Sequence, residues 1–202
     1  MKINALMIPD PITITEKTTI AEAIERMKVN RIRHLPVVDD RDRLKGFVTL
    51  ADLKQGLIPY MVGDLTLADL MIRDPIRVSP EDDVETAARL IYEHKIGGMP
   101  VVKGSRVVGI ITESDMLRAF IDMMGILSSS SRLDVAIEET PEALRQALKV
   151  INEKGGDIIN VGLRTQQTPA RRIYHFRLKS CKTTPIRKAL EKAGFDVLES
   201  MD

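Results

Sequence analysis

Apolar positions in the first quarter of the chain follow two different periods. Ile20, Ala23, Ile24 and Met27 stand at helical spacing, behind Thr19 and Glu22, whose separation is that of a capping box. A helix is predicted to start at Thr19. Short extended runs surround it: Ile12-Thr13-Ile14 after Pro11, then His34 to Val38, and Lys45 to Thr49 beyond a polar turn at Asp39 to Arg43. Leu50 to Gln55 reads as the start of a second helix. The same order then recurs: Arg77-Val78, a helix from Asp83 with Val84, Ala87, Ala88 and Ile91 inward, a strand at Met99 to Val102, another at Val107 to Thr112, and a helix from Glu113 to about Met124. Residues 56–64, with Pro59 and Gly63, read as the connector.

The recurrence extends to the residues themselves. Leu6-Met7-Ile8-Pro9-Asp10-Pro11-Ile12 returns as Leu70-Met71-Ile72-Arg73-Asp74-Pro75-Ile76, and Leu35-Pro36-Val37-Val38 as Met99-Pro100-Val101-Val102, both 64 positions later. Gly46-Phe47-Val48-Thr49-Leu50-Ala51-Asp52 returns as Gly109-Ile110-Ile111-Thr112-Glu113-Ser114-Asp115 after 63, so one residue was lost in the intervening turn. A length change confined to a turn marks a duplicated folding unit.

Residues 125–131 have linker composition, and the pattern then changes. Leu133 to Ile137 alternates as a strand. Thr140-Pro141-Glu142 starts a helix with Leu144, Ala147, Leu148 and Ile151 inward, and Gly155-Gly156 stops it. Ile158 to Leu163 and Arg172 to Leu178 read as a hairpin, Thr184-Pro185 as the start of a last helix, and Phe195 to Leu198 as a final strand. The order is βαββαβ, that of a ferredoxin-like sandwich. The fold class is therefore α/β (α+β): two tandem β-α-β-β-α repeats forming a pseudo-twofold pair, then a βαββαβ unit. The expected divisions are 1–64, 65–127 and 128–202.

Composition narrows the function. The chain has 202 residues, 44% of them hydrophobic, and a formal charge of +1 with 30 basic and 29 acidic residues. Such balance, with no Trp and few other aromatics, argues against nucleic-acid partners. No apolar run is long enough for a membrane span, and Met1 to Asn4 does not open a signal peptide. The single Cys181 makes no internal disulfide, which fits a cytoplasmic setting. His34, His94 and His175 lack metal spacing, and neither a P-loop nor a nucleophile elbow is present. The chain is expected not to be an enzyme.

The two repeats resemble a tandem pair of CBS domains, a Bateman module. The resemblance rests on Leu-Met-x-x-Asp-Pro, on hydrophobic-Pro-Val-Val and on Gly-hydrophobic-x-Thr-x-x-Asp, each present twice. It implies a regulatory sensor that binds an adenine nucleotide (AMP, ADP or ATP) or S-adenosylmethionine between the repeats, and a homodimer. Residues 128–202 resemble an ACT domain, which implies a dimerisation or readout module. Glu142, where amino-acid-binding ACT domains usually carry Gly, disfavours that ligand.

The residues admit two readings. Thr-x-x-Asp at a helix start is a reciprocal cap that needs no ligand, and it is also a carboxylate poised for a ribose diol beside a positive helix end. Gly46 and Gly109 are expected to keep the strand slim beside the pocket. The resemblance implies a crossed arrangement in which each site draws on both repeats. The first site would have Thr49 and Asp52 on the ribose, Arg33 and His34 on the phosphate, and Arg77, Val78, Ile96, Gly97, Gly98 and Met99 around the base. The second, weaker site would have Thr112 and Asp115 on the ribose, with Thr13, Ile14, Ile32 and Leu35 around a base slot crowded by Arg33 and His34. Solvated edge charge is the alternative reading of Arg33 and His34.

Overall fold

A computed structural model describes residues 1–55, 65–125, 130–164 and 171–202. The connector expected over 56–64 lies outside the described residues, as do residues 126–129 of the expected linker. The chain forms two units, Met1–Leu117 and Arg118–Asp202.

In the first unit, a 3-10 turn at Ile3–Ala5 precedes β1 (Ile8–Pro9), α1 (Ile20–Val29), β2 (His34–Val38), β3 (Leu44–Thr49) and α2 (Leu50–Gln55). The second half runs α3 (Leu67–Leu70), α4 (Val84–His94), β4 (Gly98–Lys103), β5 (Arg106–Thr112) and the first part of α5 (Glu113–Met123), whose residues from Arg118 onward are counted with the second unit. Helix α1 starts where its capping box predicts: Glu22 N donates to Thr19 Oγ1 at 3.2 Å, and Thr19 N donates to Glu22 Oε2 at 2.9 Å. The extended runs read at Ile12 to Ile14 and at Arg77-Val78 contract to single parallel bridges, Ile14 with Val37 and Val78 with Val101.

The repeats exchange their leading segments. β1 adds antiparallel to β5 of the second repeat, Ile8 opposite Ile110, which gives the order β1-β5-β4. Its counterpart Ile72 bridges Phe47 of the first repeat through two backbone hydrogen bonds, of 3.0 and 2.9 Å. Side chains follow the exchange. Ile3 is buried with Val78, Ala87, Met99, Val101 and Ile111, whereas Leu67 and Met71 join Ala23, Met27, Leu35, Val48 and Leu53. This corrects the expected role of Gly46 and Gly109. A Cβ on Gly46 would lie 2.7 Å from Met71 Sδ and 3.0 Å from Ile72 O, and one on Gly109 2.6 Å from Met7 Sδ and 3.1 Å from Ile8 O. The glycines make room for the exchanged leaders. Val38, Val102 and Val107 close the pseudo-twofold contact between repeats.

The second unit carries β6 (Ser130–Glu138), α6 (Pro141–Glu153), β7 (Ile158–Arg164), β8 (Arg171–Lys179), α7 (Thr183–Lys192) and β9 (Asp196–Met201). Ser130 and Ser131 thus belong to a strand rather than to the linker. Thr140 caps α6, its Oγ1 accepting from Ala143 N at 3.2 Å. The sheet order is β7-β8-β6-β9, with antiparallel neighbours throughout. Strand alternation sends Leu133, Val135, Ile137, Phe176 and Leu178 into the core with Ala147, Ile151, Ile186 and Leu190 of the helices. Arg132, Asp134, His175 and Arg177 alternate with them on the opposite face.

Candidate functional site

Each repeat ends a strand in Thr and begins a helix that carries Asp on its first turn. Asp52 Oδ2 accepts from Thr49 N at 2.9 Å and Thr49 Oγ1 at 2.7 Å, and Asp52 N returns a bond to Thr49 Oγ1 at 3.3 Å. Asp115 and Thr112 repeat this at 2.9, 2.7 and 3.4 Å. The reciprocal cap, the reading that needs no ligand, is therefore present in both copies. Each pair also lines a hollow built from both repeats.

The Asp52 hollow has a volume of about 560 Å³, within the size range of small-molecule sites. The first repeat contributes Arg33, His34, Phe47, Thr49, Asp52 and Lys54, and the second Ile72, Lys95, Ile96, Gly97, Gly98 and Glu113. Asp52 Oδ1 makes no hydrogen bond among the described residues, so it can accept from a further donor without loss of the cap. The Asp115 hollow measures about 280 Å³ and includes Ile8, Ile12, Arg31, Ile32, Arg33, His34, Thr112, Ser114 and Asp115.

The two hollows are pseudo-twofold mates. Ile72 corresponds to Ile8, Lys95 to Arg31, Ile96 to Ile32, and Gly97-Gly98 to Arg33-His34. Lys95 and Arg31 share a left-handed backbone, with φ of 53° and 55°. That conformation costs a non-glycine residue about 1–2 kcal/mol, yet both copies put a cation there, and each lines the hollow of the other repeat's Asp.

The mates differ most at Gly97-Gly98 and Arg33-His34. The His34 ring stacks on Phe47 at 5.8 Å between centroids and 20° between planes. A Cβ on Gly97 would lie 2.9 Å from His34 Nε2, so this glycine admits the imidazole edge. Burial, then the neighbouring Arg33 charge, lowers the His34 pKa, while Glu113 and Asp52 pull it the other way. The imidazole is therefore neutral near pH 7. Both Arg33 and His34 line both hollows.

Of the residues read for the first site, Arg33, His34, Thr49, Asp52, Ile96, Gly97 and Gly98 come together. Val78 and Met99 do not, because alternation along the strands turns them into the second repeat's core. Arg77 is exposed and pairs with Asp74 at 2.7 Å. For the second site, Ile32, Thr112 and Asp115 line the hollow. Ile14 and Leu35 are buried in the first repeat's core, and Thr13 lines a separate hollow beside Asp42 and Arg106. Sequence reasoning missed Lys54, Lys95, Arg31 and Glu113. The signal for two of them was the 64-residue correspondence of Arg31 and Lys95, cations just beyond the two equivalent helices.

Among the described residues, no cluster of three metal-capable side chains forms, and no helix is long and apolar enough to cross a membrane.

The chain matches the model of the CBS domain twice, over residues 3–58 and 67–122. It is 31% identical over 153 residues to the inosine-5'-monophosphate dehydrogenase of Methanocaldococcus jannaschii, covering 74% of this chain and 30% of that protein. It spans under a third of the length of the first curated relatives it matches. Solved structures that share the fold of its CBS pair include the following. The CBS domain pair of protein MJ0100, in complex with 5'-methylthioadenosine and S-adenosyl-L-methionine, is 30% identical with a TM-score of 0.56, covering 59% of this chain and 95% of that one. A structure described as an acetoin utilization protein (AcuB) of Vibrio cholerae is 31% identical with a TM-score of 0.56, covering 62% and 94%. CBSX2 of Arabidopsis thaliana in complex with AMP is 30% identical with a TM-score of 0.54, covering 61% and 98%.

Proposed function

Because the chain belongs to the CBS domain family, with two copies in tandem, we propose that it is a regulatory sensor rather than an enzyme, and that it binds a phosphorylated adenosine in the Asp52 hollow. The supporting observation is the convergence there of the Thr49–Asp52 pair, the cations Arg33, Lys54 and Lys95, and the bare backbone of Gly97-Gly98. Asp52 receives the ribose diol through its second oxygen. Arg33, His34 and Lys54 face the phosphate, and the base lies against Ile96, Gly97 and Gly98 with Ile72 and Phe47 as apolar walls. AMP, ADP and ATP are the candidate ligands. The narrower Asp115 hollow is left for an uncharged adenosyl group, or for S-adenosylmethionine at lower affinity. The complexes of CBSX2 with AMP and of MJ0100 with S-adenosyl-L-methionine and 5'-methylthioadenosine support both halves of this reading.

The proposed divisions are CBS repeat 1 at 1–64, CBS repeat 2 at 65–127 and an ACT-like domain at 128–202. The βαββαβ order and the β7-β8-β6-β9 sheet support the last. This domain serves as the dimerisation or readout module of a cytoplasmic homodimer. Likeness to AcuB extends the proposal to acetoin utilisation. A second reading, a ligand-free homo-oligomeric scaffold, is favoured by the completed caps at both Asp residues. Thermal denaturation with AMP, ATP and S-adenosylmethionine separates the two. A ligand of the folded state raises the midpoint with concentration, whereas no shift from any of the three at millimolar levels supports the scaffold.

A further inference from the structure

The Asp52 and Asp115 hollows have two lining residues in common, Arg33 and His34. Both stand where the chain enters β2, and their mates Gly97 and Gly98 offer no side chain to share. The two side chains are held very differently. The His34 ring stacks on Phe47, itself 3% exposed, and its other edge abuts Gly97 so closely that a Cβ there would lie 2.9 Å from Nε2. His34 is a fixed partition. Arg33 is anchored through its backbone, where its carbonyl accepts from Leu50 N at 2.9 Å. Its side chain is exposed, and its guanidinium has no hydrogen-bond or ion-pair partner among the described residues. A long side chain with nothing to hold its end can turn to either side of the imidazole.

The side it takes changes both hollows. Around Asp52 stand Arg33, Lys54 and Lys95, with Asp52 and Glu113 as the acidic groups. Around Asp115 stand Arg31 and Arg33, with Asp115 as the acidic group. The Asp115 hollow thus carries two cations and one carboxylate, a formal +1 that falls to zero when Arg33 turns away. The same movement frees volume in the narrower space, of about 280 Å³. A phosphate in the Asp52 hollow supplies the counter-ion that Arg33 lacks, and a guanidinium–phosphate pair is among the stronger polar contacts available to a protein.

We propose that Arg33 couples the two hollows: a phosphate bound at Asp52 draws the guanidinium to itself and so opens the Asp115 hollow to an uncharged adenosyl group. The coupling rests on the reading that Asp52 takes a phosphorylated adenosine and Asp115 an uncharged adenosyl ligand. The two ligands then bind with positive cooperativity, because the first selects the state that the second prefers. Linkage makes the effect reciprocal, so the uncharged ligand tightens the phosphorylated one by the same factor. The module responds to the two compounds together rather than to each alone.

The test is a titration of the 15N-labelled full chain with 5'-methylthioadenosine, without AMP and at saturating AMP, with the affinity read from the amide shifts of Ser114 and Asp115. Bound AMP is expected to tighten 5'-methylthioadenosine at least about fivefold. Arg33→Ala should bind 5'-methylthioadenosine without AMP about as tightly as AMP-loaded wild type does, and AMP should add nothing further. Lys54→Ala, at a cation that lines the Asp52 hollow alone of the two, should weaken AMP but keep the tightening once AMP saturates. Three results overturn the coupling: equal affinity with and without bound AMP, a tightening that survives in Arg33→Ala, or no saturable shift at Ser114 and Asp115 in AMP-loaded protein. AMP binding is followed in the same spectra at Ala51 and Asp52, and no saturable shift there overturns the underlying assignment of the Asp52 hollow instead.

Discussion

The two hollows between the repeats are built from equivalent segments of a duplicated unit and differ mainly at one pair of positions. Where the Asp52 hollow has Gly97-Gly98, the Asp115 hollow has Arg33-His34. Two glycines leave about 560 Å³. The bulkier pair fills part of its own hollow, which is reduced to about 280 Å³, and also lines the neighbouring one. A single dipeptide change in a duplicated fold thus enlarges one site's cation set and narrows the other. The caps, by contrast, are the same within 0.1 Å in both repeats. On the proposed function, ligand preference in such a pair is set beside the Thr-x-x-Asp motif rather than within it.

The change expected to disturb this comparison most is the replacement of Arg33 and His34 by Gly, which makes the first repeat like the second. Removing two groups that form charge-assisted contacts should weaken AMP by about a hundredfold at the Asp52 hollow. The same variant should widen the Asp115 hollow enough to take up uncharged 5'-methylthioadenosine. Titration calorimetry with each ligand reads both effects, and AMP affinity unchanged by the double replacement would remove Arg33 and His34 from the site.

A second pair of substitutions asks whether the repeats are equivalent where the leaders cross. Gly46→Ala and Gly109→Ala each push a Cβ against a methionine sulfur and a backbone carbonyl of the exchanged leader. Each should cost about 1–3 kcal/mol of unfolding free energy, measured by chemical denaturation. A clear loss at one position only would mean that one leader is not anchored in this way.

Lys95→Gly should act in opposite directions on fold and site. Relief of the left-handed backbone stabilises by about 1 kcal/mol, while loss of the cation lowers AMP affinity by about threefold to tenfold. Arg31→Gly should give the same stabilisation with no change in AMP affinity. Thermal denaturation together with calorimetry tests both.

The smallest effect concerns pH. Because the folded His34 pKa is lowered, chiefly by burial and next by Arg33, the folded and unfolded chains are equally neutral there above a pH of about 6.5. As pH falls below that value the unfolded chain takes up the proton first, and stability declines until the folded pKa is passed. His34→Gln should flatten this part of the stability–pH curve. A bound phosphate favours the imidazolium, so AMP affinity should rise as pH falls through the same window.

The parts of the molecule readable from sequence were those governed by local periodicity. Ile20, Ala23, Ile24 and Met27 announced α1 and a capping box gave its start, while Thr140-Pro141 and Gly155-Gly156 bounded α6. The leader exchange was not readable, because two-residue β1 and the lone Ile72 bridge carry too little pattern to reveal a partner so distant in sequence. The motif residues at the cleft emerged because they occur twice. Val78, Met99, Ile14 and Leu35 stand in the repeat cores rather than on the hollows, because adjacent extended residues point to opposite faces and a contiguous run cannot wholly line one hollow. Lys54 and Glu113 look like ordinary solvated helix charges until the two repeats are brought together.

The central claim is that one of two related hollows, the one at Asp52, takes a phosphorylated adenosine. Calorimetric titration of AMP into the wild-type chain, Asp52→Ala and Asp115→Ala tests it most directly. One AMP per chain is expected, with affinity reduced at least about tenfold by the first substitution and about threefold or less by the second. Equal losses from both, or no AMP uptake by the wild-type chain, would contradict it.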